Sequence, residues 1–370
     1  MKAIISGGGT GGHIFPAIAI ANAIQSRYPE AEILFIGAEG RMEMEKVPAA
    51  GYKIESLPIA GLQRNLSPKN LLLPFKILKS QHKVKKILRD FNPDIVIGVG
   101  GYASAPTLKK AAQMGFPTML QEQNSFPGLT NKILAKNAKC ICVAYEGLEK
   151  YFPADKIVIT GNPVREVIEQ STVSKSEGLD FFGLNGNRHT VLSVGGSLGA
   201  KSINMMILDH MSLFKENNIQ LIWQTGKWMY DDAVRRVERE GLEEWVKVHK
   251  FISNMEKAYA AADLVISRAG AIAISELCIV GKPTILIPSP NVAEDHQTKN
   301  AMALVSKGAA VMVRDDECYS TGVQTVIDLV DNPTAQRQMS NSIRQMGRPQ
   351  AADRIVDEIE KLLNIKEQQN

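Results

Sequence analysis

The sequence has few cysteines, few aromatic residues and no long hydrophobic run. Its four cysteines form no C-x-x-C pair, so we expect a reducing compartment and no zinc site. No apolar run reaches the length of about 18 residues that a membrane-spanning helix needs. Only four residues separate Lys2 from the first glycines, which is too short for the apolar core of a secretory signal.

Neither sign of charge dominates the chain. It has 43 Lys and Arg against 39 Asp and Glu, and the resulting net charge of +4 does not indicate a nucleic-acid binder. Hydrophobic residues make up 44% and charged residues 22%, which is typical of a folded globular protein. Because 370 residues exceed the size of one ordinary core, we expect two domains.

The chain does have two glycine-rich turns in similar settings. The first follows the apolar run KAIIS and reads GGGTGGH, and the second follows TVLSV and reads GGSLGA. A helix that begins at such a turn presents bare backbone N–H groups and the positive end of its dipole, which favour phosphate. The alternative for each turn is a tight bend that only lets a helix and a strand pack closely.

The first turn also fits the spacing of a dinucleotide fingerprint, through Gly7, Gly9 and Gly12. That reading would indicate a nicotinamide oxidoreductase. The acidic residue that usually ends the second strand is missing, because Gly37 occupies its place and Glu39 comes late. We therefore favour a phosphate or diphosphate site and keep the oxidoreductase as a remote alternative.

His13 stands directly after the last glycine of the first turn. The positive end of a helix disfavours imidazolium, so we expect the neutral imidazole near neutral pH. A neutral imidazole that faces a cleft can act as a general base. The alternative is a histidine that only caps or packs the helix.

Apolar runs alternate with helical patterns along the whole chain, such as the predicted helix SINMMILDHMSLF. The alternation predicts an α/β fold with two Rossmann-like, doubly wound parallel-sheet domains that face a cleft. We place the joint at the turn-forming Asn162-Pro163, with domains at 1–162 and 163–347. The amphipathic C-terminal helix, about 348–370, is expected to pack back on the first domain.

Four further polar loops follow predicted strands, where ligands of parallel sheets bind. Two lie in the first half, GVGGYASAP and QEQNSFPG, and two in the second, SRAGAIAISE and EDHQTKNA. The Glu276 carboxylate could bind two vicinal hydroxyls, as ribose presents, and Asp295, His296, Gln297 and Asn300 could read sugar hydroxyls. Each loop alone could equally be a helix cap or a solvated turn.

The stretch from Arg64 to Arg89 is strongly basic and contains the apolar run LLLPF. It holds eight Lys and Arg and no acidic residue. Cations beside exposed apolar residues favour anionic phospholipids, at about 1 kcal/mol for each cation near the surface. The alternative is a solvated helix face over a core stripe. Nucleic acid is not expected as a partner, because no aromatic stacking platform accompanies the charges.

Seven motifs in this order resemble the MurG family of bacterial peptidoglycan N-acetylglucosaminyltransferases. They are GGGTGGH, GGYAS, EQNSFPGLTNK, TGNPVR, VGGSLGA, RAGAIAISE and DHQTKNA, and they extend over nearly the whole chain. The resemblance implies a GT-B fold and inverting transfer of N-acetylglucosamine from UDP-N-acetylglucosamine to the muramoyl 4-hydroxyl of lipid I, giving lipid II. It also implies a peripheral location at the cytoplasmic face of the membrane and a part in cell-wall synthesis and division.

The resemblance also implies the residues that bind the donor and the acceptor. Arg165 and Ser197 would contact the diphosphate, the backbone of Ile252 would bind uracil, and Gln297 would read the N-acetylglucosamine. Glu276 would bind the ribose. The remaining donor contacts would come from Thr10, Gly11, Gly12 and Asn124 in the first domain and from Ala271, Ile272, Ala273, Ile274 and Ser275 in the second. His13 is the candidate base.

Two positions depart from the family pattern, and one motif is missing. Gln121 replaces a frequent histidine, so no proton transfer is expected there, and Leu198 replaces a glutamine of the second turn. No Asp-x-Asp motif is present, and we expect the acidic pair of RDD, Arg314 to Asp316, to lie away from the site. We therefore expect no tightly bound cofactor or metal and leave stimulation by a divalent cation open. Other GT-B enzymes, such as a diacylglycerol glucosyltransferase or a UDP-N-acetylglucosamine epimerase, remain alternatives, and so does a non-catalytic membrane-surface protein that only binds a nucleotide sugar.

Overall fold

The computed structural model describes residues 1–59 and 73–368. Contacts within the chain divide it into two units. The first unit comprises Met1–Val164 and Gln350–Asn370, and the second comprises Arg165–Pro349. Each of the two boundaries between the units lies two residues after the one that we placed from the sequence.

The first unit is a parallel sheet with helices on both faces. Within the described residues its strands are β1 (Lys2–Gly7), β2 (Glu32–Ala38), β3 (Lys53–Leu57), β4 (Ile95–Gly100), β5 (Thr118–Glu122), β6 (Cys140–Val143) and β7 (Ile157–Ile159). Its helices before the C-terminal segment are α1 (Gly11–Arg27), α2 (Glu43–Ala49), α3 (Leu73–Phe91), α4 (Ser104–Gln113) and α5 (Leu129–Leu134). The strand order is β3-β2-β1-β4-β5-β6-β7. The chain runs outward from β1 and then returns beside it with β4, as in a Rossmann fold.

The second unit repeats this plan. Its strands in the described chain are β8 (His189–Val194), β9 (Ile219–Gln224), β10 (Val246–His249), β11 (Leu264–Ser267), β12 (Thr284–Leu286) and β13 (Val311–Met312), in the order β10-β9-β8-β11-β12-β13. Its helices are α6 (Glu166–Glu169), α7 (Lys175–Phe182), α8 (Lys201–Asp209), α9 (Met211–Glu216), α10 (Tyr230–Glu240), α11 (Met255–Ala261), α12 (Ala271–Val280), α13 (His296–Val305), α14 (Cys318–Val330) and α15 (Pro333–Gln345). The predicted fold class of two Rossmann-like parallel-sheet domains is confirmed.

The last helix, α16 (Ala351–Gln368), packs on α1 in the first unit. Its Ile355, Val356 and Ile359 are fully buried in the same core as the apolar face of α1. At the rim, the Tyr28 hydroxyl donates to Glu360 at 2.6 Å, and Arg27 pairs with acidic residues of α16. The amphipathic pattern of this helix thus serves the core of the first unit.

The predicted helix SINMMILDHMSLF is broken in the structure. α8 ends at Asp209 and α9 begins at Met211, because His210 adopts φ −127° and ψ 20°. The imidazole Nδ1 of His210 lies 2.8 Å from the carbonyl oxygen of Met206, a group near the C-terminal end of α8. The apolar pattern could not reveal this break, since the apolar residues of both helices are buried in one core and the pattern continues across His210.

The described helices do not include one that is long and apolar enough to cross a bilayer. Within the same residues, no group of His, Cys, Asp and Glu side chains is arranged to hold a metal ion. All four cysteines are buried and unpaired.

Candidate active site

A cavity of about 790 Å³ opens at the carboxyl ends of β8, β11 and β12 in the second unit. This volume lies in the range of pockets that bind small molecules. The whole second glycine turn, Gly195 to Ala200, lines it, and so do Ala273 and Gln297. The structure therefore brings Ser197, Ala273 and Gln297, three residues predicted to bind the donor, into one cavity.

The second turn is held by contacts between backbones that only glycine permits. Gly199 has φ +81°, and a Cβ there would lie 1.9 Å from the Thr225 carbonyl oxygen. Gly226, in the loop after β9, packs as closely against Leu198. Because neither glycine tolerates a side chain, the turn has a fixed position at the start of α8. The Leu198 side chain itself points outward and is 73% exposed.

A buried amide connects this turn with the segment predicted to bind uracil. Gln224, the last residue of β9, donates through Nε2 to the Gly196 carbonyl at 2.9 Å. Its Oε1 accepts the backbone N–H of Ile252 at 2.8 Å. The Ile252 N–H that a uracil could use is thus engaged by Gln224 in this structure. The sequence analysis missed Gln224, and the signal was a polar residue that ends the strand directly after the apolar run Leu221 to Trp223.

Arg165 and Glu276, predicted to bind diphosphate and ribose, contact each other. Arg165 Nε lies 2.7 Å from Glu276 Oε1, and Nη2 lies 2.8 Å from Oε2. The Tyr259 hydroxyl donates to the same carboxylate at 3.3 Å. Burial opposes the charge of Arg165, but the bond to Glu276 outweighs it, and the pKa of Arg165 is raised. Burial, with the Glu276 charge, also raises the pKa of Tyr259 well above its usual value.

Glu276 keeps acceptor capacity in this pair. A carboxylate has about four lone-pair sites, so it can accept further hydrogen bonds from a ligand while it is paired with arginine. Its side chain is only 5% exposed, whereas that of Arg165 is 43% exposed. Arg165 therefore fixes the orientation of the carboxylate, and the ribose and diphosphate roles of the two residues stay predictions.

The run from Ala271 to Glu276 forms the start of α12. Gly270 precedes the helix, so the first N–H groups of the run lack partners inside it. Ile274 is 1% exposed and packs in the core, and the Ser275 hydroxyl donates to the Ala271 carbonyl. A ligand can therefore reach this run mainly through the backbone and small side chains of its first turn.

The cavity contains a positively charged side chain, Arg268, that the sequence analysis did not predict. Arg268 lines it, and its guanidinium donates to the Ile287 carbonyl at 2.9 Å and to the Ser202 hydroxyl at 3.0 Å. It also forms an ion pair with Asp315. Our expectation that the acidic pair of RDD lies away from the site is wrong for Asp315, which lines the cavity. It serves there as the partner of Arg268.

The first glycine turn has a different surrounding. The Gly9 N–H donates to Oε2 of the buried Glu43 at 2.9 Å, and His13 Nδ1 lies 3.0 Å from the Gly8 carbonyl. A carbonyl can only accept, so in the neutral imidazole Nδ1 carries the proton and Nε2 carries the lone pair. Thr10, Gly11 and Gly12 form the turn and the start of α1.

Asn124 is held within its own loop. Glu122, which is buried at the end of β5, accepts the Asn124 backbone N–H at 3.0 Å and its side-chain amide at 3.2 Å. Burial raises the pKa of Glu122, although these bonds and others from Asn131 and Gly128 oppose the shift. Gln121, at the position where the family often has histidine, is buried and donates to Asn162 at 2.9 Å. It connects β5 with the turn near the end of the first unit.

Comparison with known proteins identifies the family. The N-terminal domain of glycosyltransferase family 28 matches residues 3–143, and its C-terminal domain matches residues 190–355. Enzymes of Parabacteroides distasonis and Cytophaga hutchinsonii are 54% and 53% identical, over 99% and 98% of this chain and 99% and 97% of their own. The chain belongs to glycosyltransferase family 28. Both relatives are named UDP-N-acetylglucosamine–N-acetylmuramyl-(pentapeptide) pyrophosphoryl-undecaprenol N-acetylglucosamine transferase.

Solved structures agree with the family 28 membership. The crystal structure of Acinetobacter baumannii MurG matches with a TM-score of 0.80 at 28% identity and covers 97% of this chain and 99% of its own. The MurG resemblance read from the seven motifs is thereby confirmed. A UDP-N-acetylglucosamine 2-epimerase from Neisseria meningitidis, bound to UDP-N-acetylglucosamine, matches with a TM-score of 0.67 at 16% identity and covers 98% of this chain and 100% of its own, which shows the fold alone.

The two family 28 ranges contain most of the site. The N-terminal range includes the first glycine turn and Asn124, and the C-terminal range includes the second turn and the cavity. Arg165 lies between the two ranges and belongs to the second unit, where it pairs with Glu276.

Proposed function

We propose that this family 28 glycosyltransferase moves N-acetylglucosamine from UDP-N-acetylglucosamine to the 4-hydroxyl of N-acetylmuramoyl-pentapeptide on undecaprenyl diphosphate. The reaction converts lipid I to lipid II with inversion at the anomeric carbon. The observation that carries the proposal is the full-length identity of more than half to enzymes with that transferase name. The cavity in the second unit supplies a site of suitable size and charge for the donor.

The donor diphosphate binds at the second glycine turn. The N–H groups at the start of α8 and the Ser197 hydroxyl donate to it, and the guanidinium of Arg268, whose charge Asp315 partly balances, lies in the same cavity lining. Gln297, at the start of α13, reads the N-acetylglucosamine. Its Oε1 accepts the Ser289 N–H at 2.8 Å, so its side-chain NH₂ is the group directed to the sugar.

The transfer is a single displacement. The acceptor hydroxyl attacks the anomeric carbon, the bond from that carbon to the UDP oxygen breaks, and the bonding electrons leave with UDP. Nε2 of His13 takes the proton of the hydroxyl. Charge grows on the leaving diphosphate, where preorganised N–H groups and Arg165 stabilise it electrostatically. The scheme uses no tightly bound cofactor or metal, and a stimulating divalent cation would add to this charge stabilisation.

The described part of the basic stretch supports a peripheral site for anionic phospholipids at the cytoplasmic membrane face. On α3, Ile77 and Leu78 are exposed beside the exposed Lys76 and Lys79. Lys83 is engaged with Glu55 at 3.1 Å, so it contributes less charge to a membrane than its neighbours. Residues 64–72, with Arg64 and Lys69 and the start of LLLPF, lie outside the described residues.

Calorimetry with UDP and UDP-N-acetylglucosamine, followed by turnover with a lipid I analogue, tests the function. We expect both nucleotides to bind and UDP to be released only when the acceptor is present. Conversion of the donor to UDP-N-acetylmannosamine without acceptor would instead indicate an epimerase. Binding of NADH in place of UDP would instead support the alternative of a nicotinamide oxidoreductase.

Glu276→Ala tests the donor site within the same titrations. We expect the affinities for UDP and for uridine to fall by a similar factor of about ten, because both ligands contain the ribose. Glu240→Ala is the matched control, since Glu240 lies on α10 of the same unit and pairs with Arg236 instead of Arg165. An unchanged affinity of Glu276→Ala for uridine would contradict the ribose role.

A further inference from the structure

We propose that Glu43 is a positioning residue for His13 and acts through the single peptide group that joins Gly8 to Gly9. The inference rests on the proposed role of His13 as the base and deepens it. It concerns a buried carboxyl group for which neither the motifs nor the donor site has a use.

The peptide group lies between the two side chains. Its N–H, on Gly9, donates to Glu43 Oε2 at 2.9 Å, and its carbonyl, on Gly8, lies 3.0 Å from His13 Nδ1. The second carboxyl oxygen, Oε1, accepts the Ala38 N–H at 3.0 Å, which connects Glu43 to the end of β2. The Thr10 hydroxyl is a longer neighbour of Nδ1, at 3.5 Å.

The packing around Glu43 fits this role. Glu43 is 1% exposed, and a Cβ on Gly8 or Gly37 would lie 2.2 Å or 2.6 Å from its side chain. On the other side, a Cβ on Gly101 would lie 2.3 Å from the Gly8 carbonyl oxygen. Three glycines thus make room for the carboxyl group and the loop around one peptide group.

The orientation of this peptide sets the tautomer of His13. With the carbonyl toward the ring, Nδ1 must carry the proton, and Nε2 has the lone pair that a general base needs. A peptide between two glycines can rotate at little steric cost. If it rotated by half a turn, the Gly9 N–H would face Nδ1, which would then accept, and the proton would move to Nε2. Glu43 opposes that rotation because it holds the N–H on the far side.

The carboxylate also makes the peptide carbonyl a stronger acceptor. Hydrogen bonds in a chain polarise one another, so a charged acceptor on the N–H strengthens the bond at the carbonyl. The arrangement thus resembles a carboxylate that orients a catalytic imidazole, with one peptide group inserted between them.

Nuclear magnetic resonance of the protein with ¹⁵N-labelled histidine tests the proposal without any substrate. The His13 signals are identified by their loss in His13→Gln. We expect the Nδ1–H tautomer in the unaltered protein and the Nε2–H tautomer, or a mixture, in Glu43→Met. A predominant Nε2–H tautomer in the unaltered protein overturns the proposal, even if the Glu43 variant fails to fold. An unchanged tautomer in a folded Glu43→Met variant overturns it as well.

Turnover provides the second measurement. In Glu43→Met, the Gly9 N–H loses its acceptor, so we expect kcat to fall by at least about tenfold while the Kd for UDP is unchanged. In a His13→Gln background the same change should reduce kcat no further, because Glu43 acts through His13. Additive losses in the double variant would show that Glu43 only stabilises the fold and would overturn the proposal.

Glu45→Gln is the matched control, because Glu45 lies on the same helix and is 79% exposed beside Lys46. It should leave both the tautomer and kcat unchanged. Full activity of His13→Gln would remove the proposed base, and the tautomer measurement would still judge the link from Glu43 to His13. The two failures are therefore distinguishable.

Discussion

The two glycine turns occupy equivalent places in their sheets but have different electrostatic surroundings. The turn after β1 already has a buried carboxylate, Glu43, on one of its N–H groups. The turn after β8 is supported by a neutral amide, Gln224, on a carbonyl, and Arg268 lines the adjoining cavity. Glu43 thus offsets part of the positive potential of the first turn, whereas the positive potential of the second turn remains available to a ligand.

This difference separates two roles that the sequence presents as one. A glycine-rich turn directly after a strand and before a helix occurs in both halves and suggests one diphosphate for each turn. Repulsion from Glu43 makes the first turn the weaker anion site, because like charges at close range cost free energy in a medium of low dielectric constant. We infer that the first turn mainly places His13, whereas the second mainly binds diphosphate.

His13→Ala should produce the largest effect. Removal of a general base costs about 10²- to 10⁴-fold in rate, so we expect kcat for lipid II formation to fall within that range. The Kd for UDP should be unchanged, since the donor site lies in the second unit. Steady-state kinetics and calorimetry measure the two quantities. A variant with full turnover would exclude His13 as the base.

Gly199→Ala and Gly9→Ala compare the turns directly. Both glycines have positive φ, +81° and +87°, so alanine costs a similar backbone strain of about 1 to 2 kcal/mol at either site. Only Gly199 faces a backbone atom, the Thr225 oxygen, whereas the space around a Cβ on Gly9 is open. We expect Gly199→Ala to weaken UDP by at least about tenfold and Gly9→Ala to leave UDP affinity unchanged. Equal losses of UDP affinity would contradict the division of roles.

The sequence predicted what local patterns encode and missed what long-range contacts create. Continuous apolar runs revealed the central strands β1, β4 and β8, and the glycine spacing revealed both turns. The edge strand β3 was not predicted, since its residues alternate between exposed and half-buried up to the last position and form no continuous apolar run. β13 was not predicted either, since it has only two residues.

The same reason explains the site residues that were missed. Glu43 contacts a turn 34 positions earlier in the chain, and Gln224 contacts one 28 positions earlier. Neither has a neighbour in sequence that marks its role. Asp315 was placed away from the site because its motif was judged only for metal binding, and its partner Arg268 lies 47 positions away. The family resemblance predicted the residues that contact the ligands, but it did not predict the hydrogen bonds and ion pairs that support those residues.

Gln224→Leu should have an intermediate effect on the second turn. The change removes the bond that holds the Gly196 carbonyl, and it also opens the Ile252 N–H to uracil. We expect the lost support of the turn to outweigh the opened N–H, so that UDP affinity falls by about three- to tenfold. Gln220→Leu is the matched control on the same strand, because Gln220 is equally buried but bonds to Asn185 and Thr190 at the other end. It should lower the unfolding temperature without changing the Kd for UDP. If both variants lose UDP affinity equally, Gln224 has no special relation to the turn.

The smallest expected effect concerns pH and the second unit alone. Burial lowers the pKa of His249, whose carbonyl accepts the Thr225 N–H beside the second turn. As pH falls through the ordinary histidine range, the unfolded chain takes up a proton that the folded chain resists, so the unfolding free energy decreases. His249→Gln should flatten this dependence between about pH 8 and pH 5, since the amide does not titrate in that range. Denaturant unfolding at both pH values measures it. If the decrease persists unaltered in His249→Gln, groups other than this histidine cause it, and the second turn gains no pH sensitivity from its neighbour.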